Sequence, residues 1–331
     1  MTIFGPADRP SGGSLARFRH TPSVEPLPRQ IAALAADHPA VVEGRTVYPS
    51  RVFRPSERDR VLIGGENNSK LGKLILKGPW AGCRIFHLAL EERATCPRSC
   101  AVWRECYGNG MPLAVRFRYG PELIEWLDAE LRELAAAHPD GIAVRLHSLG
   151  DFPDTGYVAR WARWLREILP LHVWGYTAYP AGSEIGRAIA HLNAVQRRRW
   201  RVRFSVAPGA VPDAMEATVA WQKPAGTHAE GGVVCPVETG RARTCGTCCL
   251  CWAPGAGRTR ITFLGHGRKI TGPSAAPSSA AAPAAPVVLS DDPAVTAAIL
   301  AGRVVRLPAH VRGRVKLNPA REPLAPAGWR Q

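Results

Sequence analysis

The sequence predicts a mixed α/β protein whose strands form a partial or complete (β/α) barrel, with a cysteine-rich extension on the C-terminal side. Strand-like and helix-like segments alternate between residues 84 and 207. This order is typical of parallel strands joined by crossover helices. Each strand also has one polar face, whereas a strand buried between two layers of helices should be apolar throughout. A barrel with a functional interior accounts for both observations.

Seven segments make up this alternation. Leucine and tryptophan residues recur at helical spacing in the first helical segment. Asp154 precedes the second helical segment and is expected to be its N-cap. The predicted elements, in chain order, are strand 84–91, helix 122–138, strand 142–148, helix 155–169, strand 171–178, helix 184–196 and strand 201–207.

The polar face of each strand is the face that a barrel would turn inward. In the second strand this face carries Arg145 and His147, and in the fourth it carries Arg203 and Ser205. Polar side chains that point into a barrel can contact a bound molecule. His147 and Ser205 are therefore candidates for cofactor contact.

Bulk composition limits the classes of protein that fit. A length of 331 residues suits one large α/β domain or two smaller ones. A net charge of +16 is compatible with a nucleic-acid partner, although many arginines beside abundant alanine, glycine and proline are equally typical of GC-rich coding. No apolar run is long enough for a transmembrane helix and the first 30 residues lack a signal-peptide core, so we expect a cytoplasmic protein without a membrane partner.

Composition also divides the chain into four regions. Residues 1–30 are rich in proline, serine, glycine and arginine and are expected to be a disordered leader. Residues 31–268 contain the predicted barrel and every cysteine. Residues 269–286 form an alanine-, proline- and serine-rich linker that cannot bury a core. A short basic tail, residues 287–331, follows it.

The first cysteine cluster, TCPRSCAVWRECYG, holds Cys96, Cys100 and Cys106, called here the first thiol set. Clustered cysteines in a reducing compartment are more often metal ligands or catalytic groups than disulfides. Cys83 precedes the strand that this cluster follows, so it should lie at the opposite end of the barrel. Three thiolates leave one coordination position of a metal open, at the strand end where barrel active sites are built.

The second cluster, VVCPVETGRARTCGTCCLCW, has a C-x2-C-x2-C run of Cys245, Cys248 and Cys251. This spacing resembles the ligand run of bacterial-type ferredoxins. Cys235 can supply a fourth ligand, and these four cysteines are called here the second thiol set. A tetrahedral zinc site could use the same residues. Cys249 is an additional thiol whose role the sequence leaves open.

The segment HSLGDF follows the second predicted strand. Gly150 lets the backbone approach a ligand closely, and Asp151 can accept a hydrogen bond from an amine or a hydroxyl group. A Gly-Asp step is commonly a turn or a helix cap. Its position one β-α unit after the first thiol set places it at the same end of the predicted barrel.

These features together resemble the radical S-adenosylmethionine (SAM) superfamily: a three-cysteine loop after the first barrel strand, an aromatic residue after the last cysteine, and a Gly-acidic step after the second strand. The resemblance implies a [4Fe–4S] cluster on the first thiol set, with one iron open to SAM. It also implies that Tyr107 flanks the cluster and that Gly150 and Asp151 lie near SAM. The spacing here is C-x3-C-x5-C where C-x3-C-x2-C is usual, and aspartate replaces glutamate.

Five segments are also similar, in the same order, to an uncharacterised phage and plasmid family, the "gene product eighty-eight" group. They are NNSKLGK, TCPRSC, RLHSLGDF, CPVETGRARTCGTCCLCW and ITFLGHG, and the resemblance covers roughly residues 40–267. The similarity implies descent from a mobile element and two cysteine clusters, and it supplies no known reaction.

Two functions follow from the sequence. The first is a radical-SAM-like iron–sulfur protein, in which an electron donor reduces the first cluster and the resulting SAM radical acts on an unknown substrate. In this hypothesis the second thiol set holds a further metal centre, iron–sulfur or zinc, for electron transfer or structure. The second is a non-enzymatic zinc protein of a phage or plasmid that binds nucleic acid through its basic surface.

Overall fold

The computed structural model describes residues 33–220, 232–253 and 259–265 of the chain. The predicted leader, linker and basic tail lie outside these ranges. No helix in the described ranges has the length and apolar character needed to cross a membrane.

Ten strands and five α-helices make up the described residues. The strands are β1 (Val52–Phe53), β2 (Ile63–Gly64), β3 (Arg84–His87), β4 (Arg116–Phe117), β5 (Ile142–Leu146), β6 (Leu171–Thr177), β7 (Trp200–Ser205), β8 (Glu216–Ala220), β9 (Val233–Val234) and β10 (Ile261–Leu264). The helices are α1 (Pro39–Glu43), α2 (Pro121–Ala137), α3 (Thr155–Glu167), α4 (Glu184–Val195) and α5 (Cys245–Cys248).

Eight strands form one sheet in the order β2-β3-β5-β6-β7-β8-β10-β9. Strand β2 runs antiparallel to β3, and every other neighbouring pair is parallel. Strands β1 and β4 form a separate two-stranded parallel sheet. The α/β class with a mainly parallel sheet is therefore confirmed. In the described part of the chain β2 and β9 lie at the two ends of the strand order, so closure into a barrel stays a prediction.

The alternation from β3 to β7 matches the order that the sequence predicts. Asp154 caps α3, because its side chain accepts a hydrogen bond from the Tyr157 N–H. The largest difference is β3, which was predicted to continue to residue 91. After His87 the chain contacts two different segments. The Leu90 N–H donates to the Leu149 carbonyl, and Leu90 also forms a parallel bridge with Phe117 of β4.

Two hydrophobic cores lie on opposite faces of the main sheet. The first packs α2, α3 and α4 against one face, where Val144, Val173 and Val202 are fully buried. The second lies on the other face, called here the interior face, which the sequence predicts to be polar and hydrated. Its members are Leu71, Ile75, Trp80, Cys83, Ile85, Ala143, Trp174, Cys249 and Trp252. The interior face is thus partly apolar, because the segments before β3 and after α5 cover it.

Cys83 lies at the amino end of the sheet, as predicted. Its Sγ is 3.6 Å from the carbonyl oxygen of Asp140, which precedes β5, and 3.6 Å from Nδ1 of His172 at the start of β6. Burial raises the pKa of Cys83 to about 11. The residue therefore behaves as a small buried group remote from the loop of the first thiol set.

Gly186 lies in the first turn of α4, where this helix closely approaches the preceding loop. A Cβ atom there would collide with the carbonyl oxygen of Pro180. We expect Gly186→Ala to lower the free energy of unfolding by about 2 kcal/mol or more, because backbone cannot move aside cheaply. The measurement is the midpoint of urea unfolding.

Gly120→Ala is the matched control for this substitution. Gly120 precedes α2, and no atom lies within 4 Å of the position of its added Cβ. Equal loss of stability in the two variants would contradict the close approach at α4.

Candidate metal centre

The first thiol set lies in the loop between β3 and β4. Tight turns shape this loop: the N–H of Cys100 donates to the Pro97 carbonyl, and a short 3-10 helix, Tyr107–Gly110, begins directly after Cys106. The loop leaves the carboxyl end of β3. The structure therefore places this set at the end of the sheet where parallel α/β folds build their sites.

The three thiols of this set are half-buried and close enough for their charges to act on one another. Burial raises the pKa of Cys96 well above its usual value, and the charges of Asp151 and of the other two thiols add to the shift. Burial also raises the pKa of Cys100 to about 12 and that of Cys106 to about 11. Thiols in such surroundings stay protonated unless a cation joins them, because a coordinated thiol loses its proton outright.

Backbone N–H groups point at all three sulfur atoms. Arg93, Val102 and Gly108 each donate to one sulfur, in chain order. Each of these bonds stabilises the thiolate and opposes the effect of burial on the pKa. Hydrogen bonds to cysteine sulfur are one way in which proteins tune iron–sulfur clusters.

A buried ion pair stabilises the loop of the first thiol set. Glu92 and Arg116 are at most 1% exposed and meet through two bonds, 2.5 Å from Nε to Oε2 and 3.0 Å from the second guanidinium nitrogen to Oε1. Arg116 also donates to the Gly108 carbonyl, two residues after Cys106. The Thr46 hydroxyl donates to Glu92 at 2.7 Å. The pair therefore connects the loop to β4 and to the segment before β1.

The Gly150–Asp151 step meets the cysteine loop, as the sequence predicts. Gly150 has φ +77°, and a Cβ there would lie 2.7 Å from both Leu90 Cβ and Thr95 Oγ1. The Asp151 N–H donates to the same Thr95 hydroxyl at 3.0 Å. Only glycine permits this approach, so the end of β5 and the start of the cysteine loop are held together.

Asp151 is buried beside the first thiol set. Burial raises its pKa to about 7, although the N–H groups of Ala178 and Phe152 donate to the carboxylate at 2.6 Å and 2.8 Å. The Thr177 side chain also bonds to it. With three donors already bound, the carboxylate retains little acceptor capacity for a ligand. Its evident role is to join the carboxyl ends of β5 and β6.

Tyr107 follows Cys106 in the cysteine loop and reaches the end of β5. Its hydroxyl donates to the backbone carbonyl of Ser148, two residues after β5. Burial of the hydroxyl raises the pKa of Tyr107, and the positive charge of Arg145 opposes the shift. The Ser148 hydroxyl in turn lies 2.8 Å from His87 Nδ1. Tyr107 therefore connects the cysteine loop to the interior face.

His147 and Ser205 are not brought to the thiols in the described part of the chain. The prediction that His147 shares a face with Arg145 is wrong. Its ring packs in the first core, 5.0 Å from the Phe152 ring, with Nε2 3.1 Å from the Tyr157 hydroxyl. β5 ends at Leu146, so the alternation of faces no longer applies one residue later. Ser205 is exposed at the end of β7.

The second thiol set surrounds the short helix α5. Thr244 caps this helix by accepting from the Thr247 N–H. Three backbone bonds attach the helix to the segment before β3: the Cys245 N–H donates to Lys70 at 2.7 Å, the Gly246 N–H to Leu71 at 3.0 Å, and the Leu76 N–H to Gly246 at 2.9 Å. All four cysteines of the set line a single pocket together with Trp252 and Ile261.

Cys249 lines the same pocket as the second thiol set, but its thiol is bonded to the backbone. Its thiol donates to the Gly246 carbonyl at 3.1 Å, and the side chain is buried in the second core. With its thiol bonded in this way, Cys249 packs as a small buried group.

Burial dominates the electrostatics of the second set. It raises the pKa of Cys235 to about 12. Burial also raises the pKa of Cys245, and the charges of Cys251 and Cys235 add to the shift, whereas the charge of Arg145 opposes it. The Tyr176 hydroxyl lies 2.8 Å from Cys251 Sγ.

Sequence reasoning missed Tyr176 and His87. Both lie on the interior face, His87 next to Arg145 and Tyr176 in contact with Cys251. The alternation of side chains along a strand could have identified both residues, because side chains two residues apart share a face. That rule places Tyr176 with Trp174 on the side opposite to the fully buried Val173.

Metal binding at either set stays a prediction. All nine cysteines lie in the described ranges and are free thiols. Among the described residues, no three His, Cys, Asp or Glu side chains are arranged to hold a metal ion as they stand. A single zinc ion needs its sulfur ligands about 2.3 Å from the metal, which is a tight cage. Either set must adjust its loop to take up such an ion.

A cavity opens beside the first thiol set. Its volume of about 420 Å³ is within the range of small-molecule sites. Thr95, the residue before Cys96, forms part of its wall, together with Arg118 and the ion pair between Arg45 and Glu91. The cavity therefore provides polar access next to the cysteine loop.

Comparisons with known proteins add no relative. A scan against protein-family models and searches of curated proteins and solved structures gave no match.

Arg116→Met tests the support of the cysteine loop. It removes the guanidinium group and leaves Glu92 buried without its partner. We expect the free energy of unfolding to fall by about 3–5 kcal/mol, since an uncompensated buried charge is costly. Arg132→Met is the control, because Arg132 pairs with Asp128 and Glu167 on the surface and should matter much less. Similar urea midpoints for the two variants would contradict this role.

His87 makes stability depend on pH. Burial, followed by the charge of Arg145, lowers its pKa to about 4 from a usual value of about 6.5. Below pH 6.5 the unfolded chain binds a proton that the folded chain refuses, so stability falls as the pH falls. Between pH 7 and pH 5 this costs about 2 kcal/mol.

Urea unfolding of the metal-free protein at both pH values measures this effect. His87→Gln should lose about 2 kcal/mol less than the parent between pH 7 and pH 5. An unchanged pH dependence in the variant would show that His87 is not the group responsible.

Proposed function

We propose that this protein is a radical-SAM-like iron–sulfur protein built on a partial barrel. The observation that carries the proposal is that the loop leaving the carboxyl end of β3 holds three half-buried thiols close enough for their charges to act on one another. The Gly150–Asp151 step lies against the same loop. This arrangement agrees with what the resemblance to the superfamily implies for these residues.

Cys96, Cys100 and Cys106 are the residues that would hold a [4Fe–4S] cluster. When bound, such a cluster supplies one-electron chemistry through an iron left open to SAM. The donor set fits this group, because the loop supplies three half-buried thiols and no fourth cysteine. The loop's backbone N–H groups hold negative charge on the sulfur atoms, and the Glu92–Arg116 pair fixes the backbone that carries them.

In this proposal the role of Asp151 and Gly150 is to hold two strand ends in place. Asp151 holds the end of β6 through the Ala178 N–H, and Gly150 lets the end of β5 touch Thr95. A bound SAM molecule would be oriented by the strand ends that these two residues join. The cavity beside Thr95 gives a small substrate room to approach.

The second thiol set supplies four ligands and leaves no coordination position open. It therefore suits a structural or electron-transfer centre rather than a catalytic one. Both sets require a reducing compartment, in which the thiols stay free.

Anaerobic purification followed by iron, sulfide and zinc analysis tests the proposal. We expect a brown protein with about four iron and four sulfide per cluster. Cys106→Ala should lose the iron of the first set and keep the second centre. Cys83→Ala is the matched control, because this buried thiol lies at the opposite end of the sheet and should retain all the iron.

Cleavage of SAM by the dithionite-reduced protein is the second readout. The parent and the Cys83→Ala variant should cleave SAM, and Cys106→Ala should not. A colourless protein with stoichiometric zinc would overturn the proposal and favour the zinc protein that binds nucleic acid, for which the net charge of +16 is the supporting observation. Brown protein without SAM cleavage would overturn the catalytic part alone.

A further inference from the structure

The interior face between the two thiol sets carries Arg145 on β5 and Tyr176 on β6. The Tyr176 hydroxyl lies 2.8 Å from Cys251 Sγ, a member of the second set. The Arg145 guanidinium carbon lies 4.5 Å from the centre of the Tyr176 ring, which is a cation–π contact. Tyr176 and Arg145, on neighbouring strands, thus form a chain of contacts from Cys251 to the middle of the interior face.

Arg145 continues this connection toward the first set. One of its guanidinium nitrogens donates to the Leu146 carbonyl at 2.5 Å, at the end of β5. Its charge also acts on the phenol of Tyr107 and the carboxyl of Asp151, which both lie against the cysteine loop. In the described ranges no carboxylate lies within ion-pair distance of Arg145. Its positive charge therefore acts on Cys245 of the second thiol set and on Tyr107 and Asp151 beside the first.

The hydrogen bond between Tyr176 and Cys251 has a defined direction once the sulfur binds a metal. A metal-bound cysteine is a thiolate and has no proton to donate. The phenol must then be the donor, which an uncharged tyrosine can be. Donors to ligand atoms orient the ligand and strengthen metal binding.

We propose that Tyr176 and Arg145 are positioning residues that join the two thiol sets. Tyr176 donates to the Cys251 thiolate and fixes it as a ligand of the second centre. Arg145 holds the Tyr176 ring and places one positive charge between two groups of negatively charged ligands. The assignment rests on the proposed second metal centre, whichever metal fills it, and it does not depend on SAM chemistry.

The test measures how fast the second centre releases its metal to a chelator. We use the Cys106→Ala background, so that only the second centre is observed. Tyr176→Phe keeps the ring and removes the hydroxyl. We expect release to be at least about tenfold faster, the usual effect of losing a hydrogen bond to a metal ligand.

Tyr157→Phe is the matched control for the loss of a buried hydroxyl. Tyr157 lies in the first core, where its hydroxyl contacts His147 rather than a cysteine. Release from this variant should equal that of the background. Release from Tyr176→Phe at the control rate, with unchanged circular dichroism, would overturn the inference.

Arg145→Gln tests the joining role separately. It should accelerate release from the second centre and, in the chain with all nine cysteines, also lower the iron retained by the first set. Because Arg145 acts on Cys251 partly through the Tyr176 ring, the double variant should release metal more slowly than the product of the two single effects predicts. Multiplicative effects, or an effect on one set alone, would overturn the joining role.

Failure of the proposed function is distinguishable from failure of this inference. If the second centre holds zinc, a faster release from Tyr176→Phe still supports Tyr176 as the positioning residue, while the iron–sulfur function falls. If the background protein takes up neither iron nor zinc at the second set, both the second centre and this inference are overturned.

Discussion

The buried pair of Glu92 and Arg116 is the interaction on which the cysteine loop depends. Removing two charges from water is costly, and their attraction compensates only when the geometry is good and the remaining hydrogen-bonding groups are satisfied. Here the pair is bidentate, Thr46 donates to the carboxylate, and the guanidinium also donates to carbonyls at Gly108, Met111 and Ala114. These bonds hold the backbone of the cysteine loop in one conformation.

A rigid loop matters because buried thiols do not favour a site by themselves. Burial makes the thiolate form expensive, and mutual repulsion adds to the cost when several thiols meet. The structure meets that cost with backbone N–H groups at the first set and with Arg145 near the second. The two sets therefore share one electrostatic requirement, which is a compensating positive charge.

The sequence predicted the layered part of this protein well. The order of strands and helices from β3 to β7, the cap at Asp154 and the remote position of Cys83 follow from local periodicity and chain direction. The contact of Gly150 with the cysteine loop followed from its place after β5. The pairing of Glu92 with Arg116 and of Tyr176 with Cys251 could not be predicted, because these partners are 24 and 75 residues apart. His147 was misplaced because strand alternation ends where the strand does.

The attachment of α5 to the segment before β3 has a consequence for biosynthesis. Cys245 bonds to Lys70 and Leu76 bonds to Gly246, so the second thiol set is closed by residues that leave the ribosome far apart in time. The loop of the first set and its ion-pair support lie within residues 45–116, and the strand ends that contact that loop are complete by residue 178. A nascent chain can therefore present the first set for loading well before the second exists. Under the proposed function, this order of synthesis would also be the order of cofactor insertion, from the cysteine loop to the C-terminal cluster.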